Sequence, residues 1–128
     1  MRDLYSRLAL AVSLVPAVQA ATLKGATVDL QGFNSAMLAI NCGAIAGSGL
    51  YVMSLQESDA TTDGDFTDVP AAKMQGTLPA SLAENTAYKV GYIGSKRYVR
   101  AVITKTSGTS IAAGAVFLLG EPALAPVA

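Results

Sequence analysis

The sequence predicts an all-β fold, a single β-sandwich of jelly-roll type with extended terminal arms, and three observations carry that prediction. From Thr22 onward, apolar residues recur with period two in short runs. Those runs are separated by clusters of Gly, Asn, Asp and Ser, the residues that tolerate positive φ or bond their own backbone in turns. The chain has 128 residues, a length that fits one domain with a real hydrophobic core.

Seven strands are expected, at 24–30, 35–41, 50–57, 66–69, 87–93, 97–105 and 111–119. Between them lie Gln31-Gly32-Phe33-Asn34, the glycine-rich stretch 43–49, the acidic stretch 58–65, Gly94-Ser95 and Ser107-Gly108. Alternation assigns faces: Tyr51, Met53 and Leu55 point one way, Val52, Ser54 and Gln56 the other, and the first set reads as core. Tyr88, Val90 and Tyr92 likewise share a face. Gly94-Ser95 is expected to make a tight hairpin into 97–105. The run from Ala115 to Leu119 is nearly continuous in apolar character, as in a strand covered on both faces. Beyond Gly120, Pro122 and Pro126 argue against further sheet, so 121–128 is expected to run as an extended tail and 22–120 to form the sandwich.

Residues 1–21 form a separate segment in this reading. Arg2 and Arg7 flank a short basic region, 8–15 is apolar, and Val18-Gln19-Ala20 suits a signal peptidase. Asp3 offsets one positive charge, however, and Ser13 and Pro16 interrupt the apolar run. The run is also shorter than the roughly 20 residues a membrane-spanning helix needs. The expectation is an uncleaved arm in which Leu4, Leu8, Val12 and Val15 share one helical face and Pro16 stops the helix. Such an arm buries its stripe on a partner, and the sandwich folds without it.

Composition narrows the function. Hydrophobic residues make up 52% of the chain and charged residues 14%, with nine basic and nine acidic side chains and a net charge of zero. A small soluble monomer ordinarily carries more charge and a net sign, so the balance points to a subunit of an assembly. It supplies no excess of Lys and Arg for nucleic acid. Histidine is absent, and Cys42 is the single cysteine, which rules out an intramolecular disulfide. The commonest general base and metal ligand are therefore missing, and neither catalysis nor a cofactor is expected.

Three further motifs have ordinary structural uses. Asp59, Asp63, Gly64 and Asp65 imitate the opening of a calcium loop, but Thr61 stands at the third position and Pro70 where a bidentate Glu belongs, so a solvated Asp-Gly turn is expected. Ser95-Lys96 is not a nucleophile with its base, because neighbours on a strand point to opposite faces. Cys42, beside Gly43, reads as a packed thiol. The densest cationic and aromatic cluster is Lys96, Arg97, Tyr98 and Arg100, residue types enriched at interface hot spots and also usable as charge protection on an edge strand. With Leu4, Tyr5, Leu8 and Val12 of the arm, these are the expected interface residues.

Two segments, Gln56-Glu57-Ser58-Asp59 leading through Gly64 to Phe66-Thr67-Asp68-Val69, and Tyr88 through Arg100, resemble small β-sandwich proteins encoded among the head genes of tailed bacteriophages. The likeness extends to Ala26 through Gly32 and to Asp3-Leu4-Tyr5-Ser6; the longer aspartate-rich turn at 60–65 departs from it. What the resemblance implies is a capsid decoration, or cement, protein. Such a protein is made in the host bacterial cytoplasm, binds the major capsid protein on the outer shell, forms homo-oligomers there, and contacts neither nucleic acid nor membrane. A head-fibre base or tail component, and a secreted binding module exported through 1–20, are the alternatives.

Overall fold

The computed structural model describes residues 5–122. Two antiparallel sheets pack face to face. Sheet A has the order β1 (Ala9–Gln19), β10 (Ser110–Pro122), β4 (Phe33–Ala46), β8 (Ala87–Tyr92) and β7 (Met74–Gln75). Sheet B runs β2 (Leu23–Lys24), β9 (Tyr98–Ser107), β5 (Leu50–Ser58) and β6 (Thr67–Asp68), with β3 (Val28–Asp29) beside β2 on the same flank of β9. Short 3-10 turns lie at Tyr5–Arg7, Asp63–Asp65 and Ala71–Lys73. If β2 and β3 count as one broken strand and β7 as an addition, each sheet has four strands and the order is that of a jelly roll, a double Greek key.

The core is what period-two alternation places inside. Leu38 and Ile40 of β4, Ile111 and Phe117 of β10, Tyr51 and Met53 of β5, and Val99 and Ile103 of β9 all point between the sheets and are buried. The face assigned from sequence to Tyr51, Met53 and Leu55 is the core face, and Val90 and Tyr92 are buried with it.

Several expectations are corrected. Residues 9–19 are not a helical stripe on a detached arm: they form β1, in antiparallel register with β10 from Ala9↔Leu119 to Gln19↔Ile111. Register breaks between Val12 and Leu14 and between Leu14 and Ala17 hide the period-two pattern, so the apolar spacing imitates a helix. Leu14, 1% exposed, belongs to the core. The sandwich thus begins inside the segment assigned to an arm. At the other end β10 carries on to Pro122, which pairs with Phe33, so Gly120 does not end the sheet. Residues 123–128 of the expected tail lie outside the described residues.

Gly94-Ser95 is not a hairpin. β8 belongs to sheet A and β9 to sheet B, so the segment between them crosses the sandwich. The Tyr92 ring sits under that crossover: its hydroxyl accepts a hydrogen bond from the Lys96 amide at 3.0 Å and donates to Glu57 Oε1 at 2.7 Å. A Cβ on Gly94 would stand 2.4–2.6 Å from the Tyr92 ring and hydroxyl, so no side chain fits there without a shift.

The strand expected at 24–30 is split into β2 and β3. Where it breaks, Ser13 fills the gap, and a Cβ on Gly25 would meet Ser13 Oγ and Ala101 O at 2.5 Å. β7 had no period-two signal because it is two residues long. The run from Ala115 to Leu119 is fully covered on one face only, since Val116 and Leu118 on the other are half-buried.

Candidate functional site

The polar residues singled out in the sequence gather on sheet B and the loops above it. Arg100, on β9 opposite Gln56 of β5, points away from the core. Its Nε donates to Gln56 Oε1 at 2.8 Å and its Nη1 to Asp63 Oδ1 at 2.6 Å, and its guanidinium carbon stands 4.1 Å from the Phe66 ring centre. Asp63 also accepts from Lys24 Nζ at 2.9 Å. The Lys24 and Arg100 donors hold its carboxyl below the usual aspartate range. The loop after β5 therefore folds back over Arg100, whose side chain is only 7% exposed.

Arg97 makes a two-pronged contact with Asp29, Nε to Oδ1 and Nη2 to Oδ2, both at 2.9 Å. The Gln31 amide donates to the same Asp29 Oδ1. These hydrogen bonds, Arg97 first, lower the Asp29 pKa and raise that of Arg97. Arg97 also stands 5.1 Å over the Tyr98 ring. Lys96 Nζ meets Asp59 Oδ2 at 2.7 Å, which raises the Lys96 pKa. The cations expected at a partner interface are thus met by aspartates of their own chain, and the Arg100 side chain is largely buried.

Of the calcium-like motif, Asp59 faces Lys96 while Asp63 faces Lys24 and Arg100. Among the described residues, no group of three or more His, Cys, Asp or Glu could hold a metal ion. Cys42 is buried, and burial raises its thiol pKa.

Sheet A has the opposite character. Within its five strands the charged residues are Lys89 and Glu121. Its outer face is built from Leu10 and Val12 of β1, Val116 and Leu118 of β10, and Met37 and Ala39 of β4, which lie side by side in register. Leu10 is 70% exposed, Val12 51%, and Val15 and Val18 nearly 70% each at 69% and 68%. Beside them an apolar groove of about 800 Å3 runs between a β1 wall (Val12, Pro16, Val18) and a floor of Ala39, Ala112 and Val116. Gly114 lies beneath Pro16, where a Cβ would come within 2.8 Å of the proline ring.

Of the expected arm residues, Leu4 lies outside the described residues. Tyr5 is exposed in a 3-10 turn, Leu8 is half-buried beside Ser35 and Leu118, and Val12 lies on the apolar face. Val15, expected on the arm's stripe, is exposed on β1, while Leu10, Val18, Val116 and Leu118 were missed. Their signal was legible in the low charge of 8–23 and 110–120, but runs of that kind read equally well as buried on both sides.

No family model matches the chain, and no curated protein matches it. Among solved structures, it is similar to the SPBc2 prophage-derived protein YomS, at a TM-score of 0.53 and 9% identity over 92% of this chain and 98% of that one. It is also similar to a chain in the structure of the infectious bursal disease virus Gx strain, at a TM-score of 0.50 and 9% identity. That match covers 94% of this chain and 35% of the virus chain, so this protein spans about a third of its length. At such identities the likeness is one of fold.

Proposed function

We propose that this chain is a non-enzymatic virion structural protein that binds the major capsid protein on the outer surface of a phage head and stabilises the shell. The observation that carries this reading is the partly exposed outer face of sheet A, uncharged apart from Lys89 beside Ala39, set against a sheet B whose Lys24, Asp29 and Arg100 are ion-paired within the chain. An apolar face of that character, left in water, favours association, and a subunit of an assembly is where it is covered. The fold agrees: jelly rolls recur in viral capsid proteins, and both similar structures come from a virus or a prophage. On this reading attachment runs through the apolar face, with Leu8, Leu10 and Val12 at its edge, and not through Arg97 and Arg100.

The export alternative needs residues 1–20 to be removed. Those residues include β1, whose Leu14 lies in the core and whose loss would leave β10 as a bare edge, so the fold favours retention.

The test is to add the purified protein to undecorated heads and measure bound copies and heat resistance. Saturable binding in hundreds of copies with raised heat resistance is expected. Binding in a handful of copies would move the protein to a tail or fibre position. No binding, with a mature N-terminus at Ala21, would overturn the virion reading in favour of export.

A further inference from the structure

The jelly roll has four sheet edges, and three of them are blunted. β7, β6 and the β2/β3 flank are two-residue strands, and Lys73, Asp68, Lys24 and Asp29 lie on or beside them. Short edge strands and charge are the usual protection against pairing with another chain. The fourth edge, β1, has eleven residues and no charge, and from Leu8 to Leu23 the chain carries none. Part of it is closed from within: Ser13 O accepts the Ala26 amide, and Val15 O accepts the Gln19 side chain. The register break at Ser13 and the ring of Pro16 end regular pairing there. Between Ala9 and Val12 the strand is regular, β10 lies on one side, and no strand among the described residues lies on the other.

We propose that two copies of this chain pair antiparallel along this stretch of β1, about a two-fold axis near Ala11, joining two A sheets into one. Open backbone groups on a regular edge select an extended strand as occupant, and an uncharged strand gives a foreign charged partner nothing to pair with. A second copy fits without conflict. Centred on Ala11, Leu10 faces the partner's Val12 and Val12 faces the partner's Leu10, with no like charges opposed. That contact prolongs the strip of Val116 and Leu118 across both copies. Because the other edges are blunted, the pairing closes at two copies and does not propagate. So short a contact buries less than the roughly 800 Å2 per partner of a stable complex, so the dimer forms at high concentration, as on a crowded shell. The inference names a homotypic contact for the assembly subunit proposed above. It is tested on the free protein, so it and the shell reading can fail separately.

The experiment is sedimentation equilibrium of the full chain from micromolar to millimolar concentration, with cysteine cross-linking. Residues directly opposite in an antiparallel pair have Cα atoms about 4.5–5.5 Å apart, within disulfide reach, while diagonal neighbours stand about 7–8 Å apart. Leu10→Cys/Val12→Cys should therefore cross-link into a covalent dimer on mild oxidation, and Leu10→Cys or Val12→Cys alone should not. Leu10→Lys should weaken the association by about tenfold or more, as edge charge does. A chain that stays monomeric to millimolar concentration, leaving the edge to a foreign strand or to none, would overturn the proposal. So would single-cysteine variants that cross-link as readily as the double, which would place the contact on the sheet faces.

Discussion

The hydroxyl of Ser13, in the first strand of sheet A, accepts a hydrogen bond from the Ala101 amide of sheet B at 2.9 Å and donates to Ala26 O at the same distance. Ser13 thereby bridges the sheets where β2 and β3 part, and does for Ala101 what a ladder partner would do. Ser13→Ala keeps the shape and removes both bonds, leaving a buried amide unpaired. A loss of about 1–3 kcal/mol in urea unfolding is expected.

Because β1 is part of the sandwich, deleting residues 1–20 should not leave a stable domain behind. The truncated chain is expected to be insoluble or to lose its cooperative transition in thermal unfolding. Leu14→Ala, which keeps the strand but empties its core position, should cost about 2–5 kcal/mol.

The aspartates that meet sheet B's cations differ in what they support. Asp63 faces Arg100, whose side chain is 7% exposed, so Asp63→Ala leaves a largely buried guanidinium without its counter-charge. A clear fall in the denaturant midpoint is expected. Asp59 faces an exposed Lys96, and Asp59→Ala should cost less than about 1 kcal/mol by the same denaturant measurement.

Stability should also fall in acid. The folded pKa values of Asp63 and Asp29 lie below the ordinary 3.8, so their contribution is complete above that value and is lost as pH falls through the lower folded values. Melting temperature measured from pH 5 to pH 2 should drop, with a shallower drop in Asp63→Asn.

Tyr92 holds the crossover between β8 and β9. Burial, and then the hydrogen bond to Glu57, raise the phenol pKa, so the hydroxyl stays protonated and keeps donating to the carboxylate. Tyr92→Phe leaves the buried Glu57 without that donor and the Lys96 amide without its acceptor. It should cost about 1–3 kcal/mol, and Gly94→Ala should destabilise by forcing the loop off the ring, both read from denaturant midpoints.

What the sequence determined by itself was local. Period-two alternation in 50–57 placed Tyr51, Met53 and Leu55 in the core, and in 87–93 it put Tyr88, Val90 and Tyr92 on one face, because a strand's side chains alternate whatever it packs against. Which sheet each strand joins was decided only in three dimensions. Gly94-Ser95 allows a hairpin or a crossover with equal ease, and the choice fell to Tyr92, whose hydroxyl holds both Glu57 and the Lys96 amide. Bulges around Leu14 gave β1 the spacing of a helix until β10 supplied a ladder for it. The fate of the charges was non-local as well. Arg97 lies 68 residues from Asp29 and Arg100 lies 37 from Asp63, so only the folded chain turns an apparent patch of free cations into paired ones, and only the folded chain leaves Leu10 and Val12 exposed on the outer face of sheet A.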